Sequence, residues 1–193
     1  MKIQLPKIEV NSPVIIWYAG ISFVILLFGY ATGGNSTMEL FTCYRTSLND
    51  PLMYFRLISH ALGHSDISHY LSNFFLIMLI GPVLEEKYGS KRLLYMMLLT
   101  ALLAGIVNVL ITPNGLLGAS GIAFMMIILC SCTSVQSGTL PLTMIIVVVM
   151  YIGKEILSGI AVNDNISQLS HILGGICGIV FGLYYNQHGF DKK

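Results

Sequence analysis

Long, uninterrupted apolar runs constrain this chain more than any other feature. A membrane-spanning helix needs roughly 20 consecutive apolar residues, and runs of that kind recur along the 193 residues. Charged residues make up 10% of the chain, which is too few to cover the surface of a small water-soluble domain. The sequence therefore predicts an integral membrane protein. A disordered chain is excluded, because such chains are poor in apolar residues.

Six predicted spans account for most of the chain. Together they are expected to form a single domain over residues 1–193, with its core at 14–185 and no appended domain or seventh span. The spans cover 14–31, 67–84, 93–111, 120–132, 140–157 and 166–185. We expect an all-α six-helix membrane bundle with a short central fourth helix. The segment 32–66 mixes polar and apolar residues, which is typical of a structure at the membrane interface.

Basic residues are distributed unevenly between the two sides of this bundle. With six spans, both termini lie on the same side, and that side carries seven of the ten Lys and Arg residues. Because cytoplasmic loops carry the excess of Lys and Arg, both termini are predicted to be cytoplasmic, with the cell membrane as the expected location. The turn that precedes Ser120 then faces the outside. The net charge of +1, without a basic run, argues against a nucleic-acid partner.

A few polar residues inside the spans are candidates for function, because such residues are costly in a membrane. His69 and Asn73 are four residues apart and share one face of the second span. Ser120 begins the fourth span, and His171 lies near the start of the last one. All four are expected on the outer side of the bundle.

The fourth span is unusually short. Its 13 residues extend about 20 Å as a helix, against a hydrocarbon core of about 30 Å. Ser120 is therefore expected below the outer surface, at the floor of a water-filled cavity, with Gly118 allowing a non-helical loop to descend to it. Unpaired N–H groups at a helix start favour negative charge. A serine hydroxyl beside such donors suits the nucleophile of an acyl transfer.

A serine nucleophile needs a base, and His171 is the candidate. No carboxylate is placed to orient His171, so the sequence predicts a Ser–His dyad. Phe124 lies one turn after Ser120 and can pack against the imidazole, and Gly121 can help the two helices to approach. Small residues permit such close contact between membrane helices. The last span supplies three of them at four-residue spacing: Gly174, Gly178 and Gly182.

The other half of the expected site is an oxyanion hole. Side-chain donors on His69 and Asn73, together with the backbone N–H of Ser120, could point at a developing negative charge.

In their order along the chain, these motifs resemble those of the rhomboid family of intramembrane serine proteases. The resemblance extends from about Arg56 to Gly182, and Tyr44-Arg45 stands where the family often has Trp-Arg. The motifs are His60-x-x-x-His64-x-x-x-x-His69-x-x-x-Asn73, Glu85 with Gly89-Ser90, Gly118-Ala119-Ser120-Gly121, and His171-x-x-Gly174-x-x-x-Gly178.

The resemblance implies a six-helix bundle that cleaves single-pass membrane proteins near the outer surface without a cofactor. It implies that Ser120 is the nucleophile, His171 the base, and His69 and Asn73 the oxyanion-hole side chains. The implied supporting positions are Phe124, Gly118, Gly121 and Glu85. His60 and His64 are implied to be structural.

Other interpretations of the same residues remain open. Ser120 could be an ordinary helix N-cap, and the polar residues of the spans could serve helix packing. The four histidines at 60, 64, 69 and 171 could form a zinc or transport site. Against that alternative, no carboxylate or thiol joins them at ligand spacing, and no internal repeat typical of transporters is visible. A catalytically inactive relative would be expected to lack Ser120 or His171.

Overall fold

The structure is a computed structural model that describes residues 10–132 and 165–188, together with helical positions 142, 145–146 and 149–150. The helices that it bounds are α1 (Pro13–Ala31), α2 (Asn35–Phe41), α3 (Pro51–Ser59), α4 (Ile67–Tyr88), α5 (Ser90–Ile111), α6 (Ser120–Ser131) and α7 (Asn165–His188). Within these residues the architecture is all-helical, apart from one isolated two-residue bridge.

Four helices are long and apolar enough to cross a membrane. They are α1, α4, α5 and α7, and their bounds agree with the first, second, third and sixth predicted spans to within a few residues. The fifth predicted span, 140–157, lies outside the described residues except for its isolated helical positions. The all-helical membrane architecture is therefore confirmed, and the count of six spans stays a prediction.

The short α6 lies in the centre of the described bundle. Its 12 residues rise about 18 Å, and it packs against α4, α5 and α7. A helix that is apolar all round is expected to be buried on all sides. Most of its residues are indeed buried, namely Gly121, Ile122, Ala123, Met125, Met126, Ile127, Ile128 and Leu129.

The segment between α1 and α4, predicted as an interfacial element, folds back onto the bundle. Cys43 and Leu116 exchange two backbone hydrogen bonds, each with N···O 2.8 Å, so that this segment is joined to the loop before α6. The Arg45 guanidinium donates to the carbonyls of Val109 and Leu110, both at 2.6 Å. Because the last carbonyls of a helix lack partners within it, Arg45 completes the end of α5.

Glu85 connects the end of α4 to the start of α1. Its carboxylate is buried and accepts the backbone N–H groups of Val14 at 3.0 Å and Ile15 at 3.1 Å, as well as the Ser90 hydroxyl at 2.7 Å. A carboxylate is favoured there, because the first N–H groups of a helix are unpaired and carry partial positive charge. Glu85 thus supports the bundle at the far end of α4, about 24 Å along the helix from His69.

Candidate active site

The crossing of α6 and α7 is a contact between two backbones. A Cβ atom at Gly174 would overlap the carbonyl oxygen of Gly121, and one at Gly178 would lie 2.6 Å from the carbonyl oxygen of Met125. A Cβ atom at Gly182 would overlap Cys132. Glycine is required at these points because only hydrogen fits between the helices. The close approach predicted from the glycine spacing is confirmed.

This crossing brings the neighbourhoods of Ser120 and His171 together. A Cβ at Gly121, the residue after Ser120, would lie 3.1 Å from Oγ and 3.2 Å from the carbonyl oxygen of Ser170, the residue before His171. The Phe124 ring stacks on the His171 imidazole with centroids 4.0 Å apart and planes 4° apart, a role that the family resemblance implies and that the sequence alone favours less than plain core packing. Ser120 and His171 are both half-buried, so neither is sealed inside the bundle.

Ser120 is the first residue of α6, and the N-cap position is Ala119, which makes no side-chain capping bond. An N-cap residue has non-helical backbone and accepts N–H bonds through its side chain. The interpretation of Ser120 as an ordinary N-cap is therefore wrong. Its hydroxyl lies beside the open N-terminus of a central helix, where partial positive charge is concentrated.

The loop that enters α6 passes directly over His69 and Asn73. Gly118 has φ +113°, a conformation that strains other residues, and a Cβ there would lie 2.6 Å from Nε2 of His69 and 3.6 Å from Nδ2 of Asn73. The Gly118 N–H donates to the carbonyl of His60 at 2.9 Å, which fixes the loop at this height. The two candidate oxyanion side chains are thus held against the residues that lead to Ser120.

The start of α4 orients these two side chains. The Asp66 carboxylate caps the helix by accepting the His69 backbone N–H at 2.8 Å. The Asn73 amide donates to the His69 carbonyl at 3.0 Å, and Asn73 is buried. His69 and Asn73 therefore present nitrogen atoms on one face of α4, as their spacing predicts.

His60 and His64 have structural surroundings. Nε2 of His60 lies 3.0 Å from the carbonyl oxygen of Ala101, and the His64 ring lies against the rings of His69, Tyr70 and Phe74. Burial lowers the pKa of His60 to about 4. Burial, with a smaller contribution from the charge of His69, also lowers the pKa of His64 to about 4. Both rings are therefore neutral at neutral pH.

The alternative four-histidine metal site is not assembled in the described structure. Among the described residues, no three His, Cys, Asp or Glu side chains converge as a metal site would require. His60 is engaged with Ala101, and the His171 ring is stacked on Phe124.

Sequence reasoning missed several residues that build the site. Asn108, on α5, is buried, and its amide donates to the carbonyls of Cys43 and Asn114, both at 3.0 Å. Its signal was a polar residue inside an apolar span. Ser65 and Asp66 bind His69, and the signal for Asp66 was an acidic residue just before a helix start.

Comparison with known proteins identifies the family of the chain. The rhomboid domain family model matches residues 51–188, from the start of α3 to the end of α7. The chain is 28% identical to Rhomboid-related protein 1 of Caenorhabditis elegans over 151 residues, which are 71% of this chain and 42% of that protein. It is 26% identical to Rhomboid protease GluP of Bacillus subtilis (strain 168) over 174 residues, which are 85% of this chain and 33% of that protein.

The chain spans less than half the length of these two relatives. The family model nevertheless covers more than two thirds of the chain itself, and it includes the α6–α7 crossing and the loop over His69. Taken with the four apolar helices, this match shows that the chain is an integral membrane protein of the rhomboid family.

Proposed function

We propose that this protein is a serine endopeptidase that hydrolyses peptide bonds in or near the transmembrane segments of single-pass membrane proteins. The observation that carries the proposal is the α6–α7 crossing, where Gly121 contacts Ser170 and Phe124 stacks on His171. One relative is named a rhomboid protease, which supports the same activity here. The substrate, a single-pass membrane protein, is reached within the lipid bilayer.

Ser120 is the nucleophile of this proposal and His171 its general base. A serine hydroxyl is a weak nucleophile until an adjacent base takes its proton. The parallel stack on Phe124 restricts the imidazole to one plane, which keeps the ring in place for the transfer. His171 then returns the proton to the leaving amine, and water from the outer side hydrolyses the acyl-enzyme.

His69, Asn73 and the backbone N–H of Ser120 form the proposed oxyanion hole. The Gly118 contacts with Nε2 of His69 and Nδ2 of Asn73 support this assignment, since donors fixed before the reaction stabilise the charge that develops in the transition state. The positive end of α6 contributes in the same direction.

The proposed topology has six spans in the cell membrane, with both termini in the cytoplasm. The placement of seven of ten Lys and Arg residues supports it. Ser120, at the loop end of α6, then opens to the outside. A reporter that is active only outside the cytoplasm should give signal when inserted in the 112–116 turn, and none when fused after Lys193.

A cleavage assay with the purified protein in liposomes tests the proposed function. We expect the wild type to cleave a single-pass substrate, and Ser120→Ala and His171→Ala each to lose about 1,000-fold or more. The matched controls are Ser131→Ala, at the other end of α6, and His188→Ala, at the other end of α7. Both should retain wild-type activity.

Full cleavage by Ser120→Ala would contradict the serine mechanism. Loss of cleavage with EDTA, restored by zinc, would instead favour the four-histidine metal alternative.

A further inference from the structure

A cleft between α1 and α5 is lined by apolar side chains and opens on the side of the bundle. Its volume is about 400 Å³, which is within the range of ligand sites in proteins. The mouth includes Trp17, Ile21 and Leu98, which are 69%, 46% and 45% exposed. The back wall includes Met97 and Ile122, which are buried. The cleft therefore leads from the lipid-facing surface of the bundle to the central helix α6.

The cleft lies within one half of the membrane. The helices α1 and α5 begin at the same level, because the Glu85 carboxylate accepts the first N–H groups of α1 and also the Ser90 hydroxyl at the start of α5. The lining residues of α5, from Leu94 to Ala101, lie about 6 to 17 Å along the helix from Ser90. Half of the hydrocarbon core is about 15 Å thick. The mouth of the cleft therefore faces acyl chains.

The segment that follows α3 closes the end of the cleft farther from the start of α1, and it connects the cleft to the candidate active site. The Ala61 carbonyl accepts the Tyr18 hydroxyl at 2.7 Å, and both residues line the cleft. The carbonyl of His60 accepts the Gly118 N–H at 2.9 Å, and its Nε2 lies 3.0 Å from the carbonyl oxygen of Ala101. Because Ala101 also lines the cleft, whatever fills the cleft supports the loop that enters α6 from behind.

The lining and the size of the cleft indicate what occupies it. Apolar side chains offer water no hydrogen bonds, and apolar cavities stay dry. A helix about 10 Å across would occupy roughly 900 Å³ over the distance of about 12 Å from Pro13 to Ile21, which is more than twice the volume of the cleft. A single acyl chain is thinner than a helix, and acyl chains surround this side of the bundle. The cleft therefore fits an acyl chain better than water or a helix of a second copy.

Lys91, in the first turn of α5, indicates where the headgroup of such a lipid lies. Lys91 is exposed and precedes Leu94 and Leu98 by three and seven residues, so the three share one face of the helix. Both leucines line the cleft. A lysine at the membrane surface attracts anionic headgroups.

We propose that the cleft binds one acyl chain of a phospholipid whose phosphate lies near Lys91, and that this lipid is a bound ligand of the folded protein. The site is separate from the residues proposed to cleave peptide bonds, and its occupancy can be measured without catalysis.

Native mass spectrometry of the whole chain in detergent, titrated with dioleoyl phosphatidylglycerol, measures this binding. We expect one lipid per chain to bind more tightly than any further lipid. Leu98→Phe adds bulk at the mouth of the cleft and should weaken this first binding at least about 10-fold. The matched control is Leu103→Phe, because Leu103 lies on the same helix, is 38% exposed and does not line the cleft. It should keep the wild-type affinity.

Substitution of Lys91 tests the position of the headgroup. Lys91→Gln should weaken the binding of phosphatidylglycerol about 5-fold. It should leave unchanged the binding of dioleoylglycerol, which has the same acyl chains and no phosphate. Lys87→Gln is the control, because it removes a positive charge at the end of α4 and Lys87 does not line the cleft. It should change neither affinity.

Trp17 reports on the same site by fluorescence, because it is the single tryptophan of the chain and lies at the mouth of the cleft. In detergent micelles, phosphatidylglycerol with brominated acyl chains should quench Trp17, with saturation at one lipid per chain. Leu103→Phe should behave in the same way, and Leu98→Phe should show no saturable quenching. Unfolding by denaturant without added lipid checks that both variants are folded.

Three results would overturn the proposal. The first is a wild-type protein without a tighter first lipid, or with equal binding in Leu98→Phe and Leu103→Phe. The second is a complex of two chains that Leu98→Phe dissociates, which would assign the cleft to a second copy. The third is lipid binding that appears only when residues 2–9 are removed, which would assign the cleft to that segment. Each result leaves the outcome of the cleavage assay open, so failure here is distinguishable from failure of the proposed function.

Discussion

Two walls of the candidate site are held together by different forces. The inner wall is the α6–α7 crossing, where Gly174 lies against Gly121 and backbone meets backbone. The outer wall is the loop 112–119 with the 32–66 segment and the start of α4, joined by hydrogen bonds such as those between Cys43 and Leu116. Within the bilayer, helices associate through close packing, whereas at the outer edge buried polar groups must find partners.

Each wall carries one half of the proposed chemistry. Ser120 and His171 belong to the inner wall, and His69 and Asn73 face the loop of the outer wall. Damage to the inner wall should therefore reduce stability and activity together. Damage to the outer wall should remove only the stability that the lost hydrogen bonds provide. The loss of activity should be larger than that loss of stability explains.

The largest effect is expected from Gly174→Ala, which breaks the inner wall. The added methyl group overlaps the Gly121 carbonyl, a backbone atom that cannot move aside, and we expect a loss of about 3 kcal/mol in the free energy of unfolding. Activity should be lost with it. Unfolding by denaturant in detergent micelles measures the first effect and the cleavage assay the second.

Gly175→Ala is the matched control for Gly174→Ala, since a Cβ there would lie 3.8 Å from Cγ1 of Ile128, an ordinary contact. It should be neutral or slightly stabilising. Equal behaviour of the two variants would show that the crossing is looser than described.

Acidification should weaken the outer wall through its buried histidines. The pKa of His64 in the folded protein is about 4, below its ordinary value, so the stability that the neutral ring provides above its unfolded pKa is lost as the pH falls toward 4. Between pH 7 and pH 5 this loss is at most about 2 kcal/mol for one histidine. His64→Phe, which keeps a ring beside Tyr70 and Phe74, should reduce the dependence of the unfolding free energy on pH by that amount.

If His64→Phe retained the full wild-type dependence of the unfolding free energy on pH, His64 would not be held neutral by burial.

Asn108→Leu breaks the outer wall without touching the proposed catalytic groups. It removes the amide that bonds the carbonyls of Cys43 and Asn114, and we expect a loss of about 1–2 kcal/mol. The loop before Ser120 is then no longer held in place by these bonds, so kcat/KM should fall at least about 10-fold. This fall should exceed the loss of activity that comes from unfolding of the destabilised protein at working temperature. Asn114→Ala is the control, because Asn114 contributes its backbone carbonyl to these bonds. Wild-type kcat/KM in Asn108→Leu would show that the loop keeps its position without the hydrogen bonds of the Asn108 amide.

The smallest effect is expected from Phe124→Leu, which removes the ring stacked on His171. The loss of a pair of stacked rings is worth about 1 kcal/mol, or roughly a 5-fold fall in kcat/KM. Phe124→Tyr preserves the ring and should stay close to the wild type. A large loss of kcat/KM in both variants would indicate that the new side chains crowd the site, and that lost stacking is not the cause.

The spans and the inner wall could be predicted from the sequence, because their signals are local. Apolar run length gave the helix bounds of α1, α4 and α5 to within a few residues. The four-residue spacing of Gly174 and Gly178 indicated the close crossing, since that spacing repeats on one face of a helix. Ser120 at a helix start and Phe124 one turn later follow from the same periodicity.

The outer wall could not be predicted, because its bonds join residues far apart in the chain. Asn108 reaches Cys43 across 65 positions. The same difficulty applies at the opposite end of α4, where Glu85 caps α1 across about 70 positions. The sequence around either residue does not identify its partner. The helices α2 and α3 are short, and short helices depend on packing more than on intrinsic propensity. For the 32–66 segment, the sequence therefore indicates the interfacial composition but does not predict the course of the backbone.

Covalent labelling with a fluorophosphonate probe tests the central claim, that Ser120 and His171 act together at the α6–α7 crossing. The probe reacts with a serine whose hydroxyl is activated by a neighbouring base, and peptide mass spectrometry locates the adduct. We predict an adduct on Ser120 in the wild type and in His188→Ala, and none in His171→Ala. An adduct on another residue, or equal labelling of Ser120 without His171, would contradict the account.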